Sequence, residues 1–143
     1  MNESPQRHQY PHFQPILSRY NDSDPNGHIA GPSVHAFFDT TIQAYLHQHA
    51  GLDLQEGAVA GFVVSSSADF FALPSFPDAL EVGLRVARVA GSTVEYQLAL
   101  LRLGETEACA QGRVVQVFVE RQSGVPVALP AALQAALDAL RRV

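Results

Sequence analysis

Ten consecutive residues, Arg19-Tyr20-Asn21-Asp22-Ser23-Asp24-Pro25-Asn26-Gly27-His28, gather two carboxylates, a tyrosine, an arginine and a histidine. Carboxylate and imidazole groups held close together can move protons or attack an electrophile. The same stretch is rich in turn formers. Pro25 fixes its own φ, Gly27 tolerates positive φ, and the Asn and Asp side chains can bond their own backbone. Two readings follow from the residues alone: a polar loop that opens a helix, or a turn that aims charged groups at a ligand from a rigid scaffold.

The elements that would hold such a turn can be read on both sides of it. Phe13 to Tyr20, with Ile16 and Leu17 among polar neighbours, reads as a strand. Pro32 suits a first helical position. Val34, Phe37, Phe38, Thr41, Tyr45 and Gln48 then repeat at helical spacing to about His49, where Gly51 is a natural stop. With Ile42 and Leu46 the apolar stripe is broad, which predicts a helix clasped on more than one side.

Further on, the period falls to two. Val59–Ser67 is a short β-rich run, followed by a connection interrupted by Pro74 and Pro77. Leu80, Val82, Leu84 and Val86 alternate with polar or small residues. After a Gly91-Ser92 turn, Val94, Tyr96, Leu98 and Leu100 alternate as well. A third run spans Ala108–Glu120, with Val115, Val117 and Val119 on one face, and Pro130 opens a short helix carrying Leu133, Ala136, Leu137 and Leu140. The fold class is α+β: an antiparallel meander curled over one long helix. Ala87, Ala99, Leu101, Val114 and Phe118 are expected on the outer face of the sheet, and association through sheet edges or the turn is expected with them.

Composition bounds the function. A chain of 143 residues, 47% hydrophobic and 16% charged, is long enough for one well-buried domain. Residues 1–12 read as a loose, flexible arm and residues 13–143 as the single domain. The net charge of -5 gives no electrostatic reason to expect nucleic acid or an anionic membrane as partner. No apolar run follows Met1, and none approaches the roughly 20 residues of a membrane helix. A cytoplasmic protein is expected. His8 and His12 have helical spacing for a metal, but Pro5 and Pro11 oppose a helix and no further ligand completes a site, so no metal is expected. Cys109, the one cysteine, lies between alanines in a strand and reads as core. Ser65-Ser66-Ser67 reads as a strand end ahead of a polar patch near a pocket, and Arg85, Arg88 and Arg121 read as surface cations ahead of partners for a ligand's phosphates.

Asp22-Ser23-Asp24-Pro25-Asn26-Gly27-His28 resembles the D-x-D-x-x-G-H turn of hotdog-fold acyl-CoA thioesterases of the hydroxybenzoyl-CoA thioesterase-like branch. The likeness continues through Arg19, Phe37-Phe38-Asp39, Phe62-Val63-Val64, Asp69-Phe70, Pro74, Leu80-Glu81-Val82, Gly91-Ser92, Val117-Phe118-Val119 and Val127-Ala128-Leu129-Pro130. It thus covers roughly residues 13 to 143. It implies a hotdog fold, an acyl-CoA substrate whose coenzyme A is its own part rather than a separate cofactor, and a homodimer or tetramer.

It also implies roles. Asp24 would be nucleophile or general base, a choice the sequence leaves open. The start of the helix would polarise the thioester carbonyl through the Gly31 N–H, with Ser33 beside it because Pro32 has no N–H. Tyr20 would contact the acyl group or orient the carboxylate, or else pack at a strand edge. His28 would touch substrate or support the turn. Asp22 and Arg19 would frame it. Phe38 and Phe70, with Phe37, Tyr45, Phe62 and Phe71, would line an apolar acyl pocket or serve as ordinary core. There are departures from the family pattern: Ile29-Ala30-Gly31 replaces Val-Asn-Asn, Ile42 replaces an arginine, and Asp39 replaces a glutamate. These motivate an alternative, a hotdog protein that binds acyl thioesters without hydrolysing them. A hydratase is a third reading, for which no second His–Asp pair is found.

Overall fold

A computed structural model of the chain describes residues 4–53 and 55–141. The elements are β1 (His12–Ile16), α1 (Gly31–Ala50), β2 (Val59–Phe70), β3 (Leu80–Ala90), β4 (Thr93–Arg102), β5 (Ala110–Glu120) and α2 (Ala131–Ala139), with 3-10 turns at Arg7–Gln9 and Tyr20–Asp22. The strands form one antiparallel sheet in the order β1-β3-β4-β5-β2. The curled sheet covers α1, the architecture implied by the hotdog resemblance. Among the described residues no helix is long and apolar enough to cross a membrane.

The broad apolar stripe of α1 is used on two sides. Val34, Phe38, Ile42 and Leu46 are fully buried in one core with β3, β4 and β5. Each such side chain stabilises the fold by about 2 kcal/mol through burial. Leu133, Ala136 and Leu137 of α2 join the same core, and the Tyr45 hydroxyl donates to the Ala136 carbonyl at 2.6 Å. Gly51, at φ 65°, ends α1 in the left-handed conformation.

Two strand expectations change. The first strand stops at Ile16 rather than running to Tyr20, and Leu17 beyond it is 90% exposed. The run from Val59 continues through the serines to Phe70, pairing along β5, with a register shift between Val63 and Ser65. An edge strand with a solvated face tolerates serine, so the tract does not end it.

The faces of β5 are also the reverse of the expected ones. Ala110, Val114 and Phe118 pack under α1, while Val115 and Val117 face outward, half-buried. Gly112 and Gln116 share the inner face. Gly112 leaves the room that the Phe38 ring occupies, and buried Gln116 accepts from the Tyr96 hydroxyl at 2.7 Å. Ala99 and Leu101 do lie outside, beneath Tyr10, Phe13 and Ala108. Residues 4–10 of the segment read as an arm run along this outer face, and His12 opens β1. The Pro5 carbonyl accepts from Ala108 N–H at 2.9 Å, and Arg7 N–H donates to Thr106 at 2.7 Å.

Candidate active site

The turn preceding α1 is a closed loop. Ser23 and Ile29 form an antiparallel bridge across it, Asp24 N–H donates to the His28 carbonyl at 2.8 Å, and Gly27 N–H donates to the Asp24 carbonyl at 3.0 Å. Gly27 takes φ 85°, the one position in the loop that requires a glycine. Ile29 N–H donates to the Pro74 carbonyl at 2.8 Å, which fixes the loop to the β2–β3 connection. That connection is in turn tied by Asp78. The Ser75 N–H, with Arg102 beside it, holds the Asp78 carboxyl below the usual carboxylate range.

Within this loop the two aspartates have different surroundings. Asp22 is buried. Its Oδ2 accepts from Arg19 N–H at 2.8 Å, its Oδ1 lies 3.5 Å from the Ser33 hydroxyl, and its carbonyl accepts from Ala30 N–H at 2.8 Å. It therefore ties the 3-10 turn to the first turn of α1. The Arg19 guanidinium, mostly exposed, stands 3.8 Å from the same carboxylate. Asp24 is half-buried, and its Oδ1 accepts from Asn26 N–H at 2.9 Å and His28 N–H at 3.1 Å. No described residue hydrogen-bonds its Oδ2.

Gly31 is the first residue of α1, and the space where its Cβ would stand is open. The first N–H groups of a helix have no intrahelical acceptor. Among the described residues none accepts from Gly31 or Ser33 N–H outside the helix either. Asp24 lies in the loop that leads into this helix end, where Ser23 pairs with Ile29 and the Asp22 carbonyl accepts from Ala30 N–H. A carboxylate with one oxygen unengaged can deliver an oxygen to a carbonyl, and unpartnered N–H groups at the positive end of a helix can stabilise the oxyanion that forms.

The other sequence-derived candidates divide. His28 serves the loop through its backbone, donating and accepting with Asp24. Tyr20 is 77% exposed, and its ring packs edge-on against Phe76 at 6.2 Å; no hydrogen bond joins its hydroxyl to Asp24. Phe38 is sealed in the core rather than open to a cleft, because Gly112 draws its ring against the sheet. Phe70 is exposed at the far end of β2, four residues before Pro74. Pro74 reads in the sequence only as a break in the connection and a point of family likeness; its tie to the loop is a backbone carbonyl, which leaves no side-chain signal.

The family model of the thioesterase-like superfamily matches residues 18–137, a span that includes the turn, all of α1 and strands β2 to β5. The chain belongs to this superfamily. Thioester hydrolysis is the activity at the level of the family. Among solved structures, this superfamily member resembles the PA5185 protein of Pseudomonas aeruginosa, with 53% identity, 97% of each chain covered and a TM-score of 0.96. A thioesterase from Thermus thermophilus, solved with coenzyme A and zinc, is 24% identical over 92% of this chain and 95% of that one, with a TM-score of 0.75. A 1,4-dihydroxy-2-naphthoyl-CoA thioesterase from Synechocystis is 19% identical over 88% and 94%, with a TM-score of 0.79. At these lower identities the likeness is one of fold. No curated protein matches the sequence.

Proposed function

We propose that the protein is an acyl-CoA thioesterase whose reaction centre is Asp24 with the Gly31 N–H. The observation that carries this is the Asp24 carboxylate: two backbone N–H groups pin one oxygen, and the other is left unengaged in the loop that leads into the open first turn of α1. The thioester carbonyl oxygen accepts from Gly31 N–H, so charge develops at the positive helix end. Asp24 either attacks the carbonyl carbon or takes a proton from the attacking water. In both routes the C–S bond breaks and the thiolate of coenzyme A leaves and is protonated; attacking water forms the C–O bond of the acid directly, whereas attack by Asp24 forms a mixed anhydride that a water molecule then cleaves to the acid and the free carboxylate. The hotdog fold is shared with a Thermus protein that holds coenzyme A, which supports the carrier half of the reading. No further cofactor enters the reaction.

The working form is a homodimer or larger homo-oligomer. β2 is an edge strand of 12 residues with Phe62, Val63, Val64 and Phe70 exposed, and such an edge is completed by a second strand.

The test uses aliphatic and aromatic acyl-CoAs with detection of free thiol. Asp24→Asn keeps an oxygen to accept from Asn26 and His28 N–H, so the loop persists while the charge is lost. Its kcat/KM is expected to fall by about 10²-fold or more, with an unchanged thermal midpoint. Equal rates for this variant and the parent refute the role of Asp24. Thermal stabilisation by acyl-CoAs with no thiol release would instead establish a binding protein.

A further inference from the structure

Contacts from the β2–β3 connection hold the loop of the reaction centre from outside. Before the loop, the hydroxyl of buried Ser18 donates to the Asp78 carbonyl at 3.4 Å. Within it, the Tyr20 ring packs on Phe76. Where it ends, Ile29 N–H donates to the Pro74 carbonyl at 2.8 Å. The placement of the loop therefore depends on residues 71–79, a segment with no helix or strand of its own. Phe71 and Ala72 N–H donate to the Cys109 carbonyl, at 2.8 and 3.1 Å, which fixes the start of that segment. Leu103 N–H donates to the Ala79 carbonyl at 2.8 Å, which fixes its end. Pro74, in the middle, has no N–H by which it could be held.

An ion pair holds that middle. Arg102, the last residue of β4, donates from Nε to Asp78 Oδ2 at 3.3 Å and from Nη2 to the Leu73 carbonyl at 3.3 Å. The same Asp78 Oδ2 accepts from Ser75 N–H at 3.0 Å. Leu73 and Ser75 are the neighbours of Pro74, so the pair fixes the proline from both sides, and with it the carbonyl that Ile29 uses. A guanidinium suits this task, because its rigid fork reaches separate acceptors at once where an ammonium is a point charge. Arg102 Nη1 lies 3.6 Å from Cys109 Sγ and 3.8 Å from Glu105 Oε2, which steadies the guanidinium against the β4–β5 turn. The Arg102 and Asp78 side chains are 33% and 37% exposed, and ion pairs so open to water contribute little to global stability. What this pair contributes is placement.

We propose that Arg102 and Asp78 form a clasp that positions the Asp24 loop, so that Arg102 governs turnover through Pro74 and Ile29 without touching substrate. The inference rests on the Asp24–Gly31 reading for what the loop does. Arg102→Leu and Asp78→Asn are compared with the parent on the acyl-CoA that the parent hydrolyses fastest. Each is expected to lower kcat about tenfold, because small misplacements of reacting groups are costly, and to leave KM within about twofold. The thermal midpoint should fall by about 4 °C or less. Asp78→Asn keeps an oxygen for Ser75 N–H, so it serves even if Arg102→Leu folds poorly. The double variant should be no slower than the slower single one, as two halves of one device behave. Arg102→Lys keeps the charge but loses the fork, and should retain only part of kcat. Glu105→Gln takes a carboxylate from the same guanidinium away from the connection, and should leave kcat unchanged.

Hydrogen exchange supplies a readout that needs no turnover. Amides of residues 19–30 should exchange about fivefold faster in Arg102→Leu, with those of β5 unchanged. Loop exchange equal to the parent's overturns the clasp. So does a parental kcat in Arg102→Leu when Asp24→Asn is inactive, or a loss of kcat matched by Glu105→Gln. An Asp24→Asn variant as fast as the parent refutes the reaction centre instead, and loop exchange then decides the clasp by itself.

Discussion

Asp22 and Asp24 stand two residues apart in one loop, and their hydrogen-bond partners set them to different tasks. The Asp22 carboxylate joins Arg19 N–H to the Ser33 hydroxyl from a buried position. Asp24 keeps an oxygen without a hydrogen bond from any described residue. Asp22→Ala would strand Arg19 N–H and untie the first turn of α1. It is expected to cost about 1 to 2 kcal/mol, seen as a lower thermal midpoint, and to lower kcat as well by displacing the Asp24 loop. Asp24→Asn, by contrast, separates activity from stability. The turn itself was legible because Asp, Asn, Pro and Gly leave a strong local signal. The role of His28 was not, since it acts through main-chain atoms that every residue type except proline supplies. Tyr20 was ambiguous for a related reason: spacing places it near Asp24 but does not say which way a strand-end ring turns, and here it turns to Phe76.

Secondary structure was readable where a period persisted. The helix from Pro32 to His49 differs from α1 by one residue at each end. The facing of β5 was not readable, because alternation defines two faces without saying which meets the core. Val115 and Val117 form the more apolar-looking face, yet the inner one is Ala110, Gly112, Val114, Gln116 and Phe118. A glycine and a glutamine disguise it: Gly112 is there for the width of Phe38, and Gln116 for the Tyr96 hydroxyl. The position of β2 was hidden as well, since its neighbour β5 lies some 50 residues along and only the assembled sheet shows β2 at an edge. Val64 on this strand is 61% exposed. If β2 is where a second copy adds, Val64→Lys should shift the protein from dimer towards monomer in sedimentation velocity, while a monomeric parent would remove the association reading.

On the scale of the molecule, the sheet is covered on both sides: by α1 within, and in part by the N-terminal segment outside. Tyr10 is the anchor of the outer cover. Its ring fills the room left by Gly83, where a Cβ would come within 2.9 Å of a ring carbon. Burial raises the Tyr10 hydroxyl from its ordinary value of 10.0 to about 12, against a smaller opposing effect of Arg85. The folded-state value lies above the unfolded one, so this contribution is complete below pH 10 and is lost as the pH rises from 10 to about 12. Chemical denaturation followed across that window should show the parent losing up to about 2 kcal/mol more than Tyr10→Phe, which has no proton to release.

The two edges of the sheet are unlike. β1 offers five residues, and Pro15 among them has no N–H to donate; β2 offers 12. A sheet with one serviceable border can be extended once. When two such borders meet antiparallel, each consumes the other and none remains for a third. Growth by strand addition would therefore terminate at a two-fold pair, and the chain would be protected from fibrous propagation by the asymmetry of its own margins.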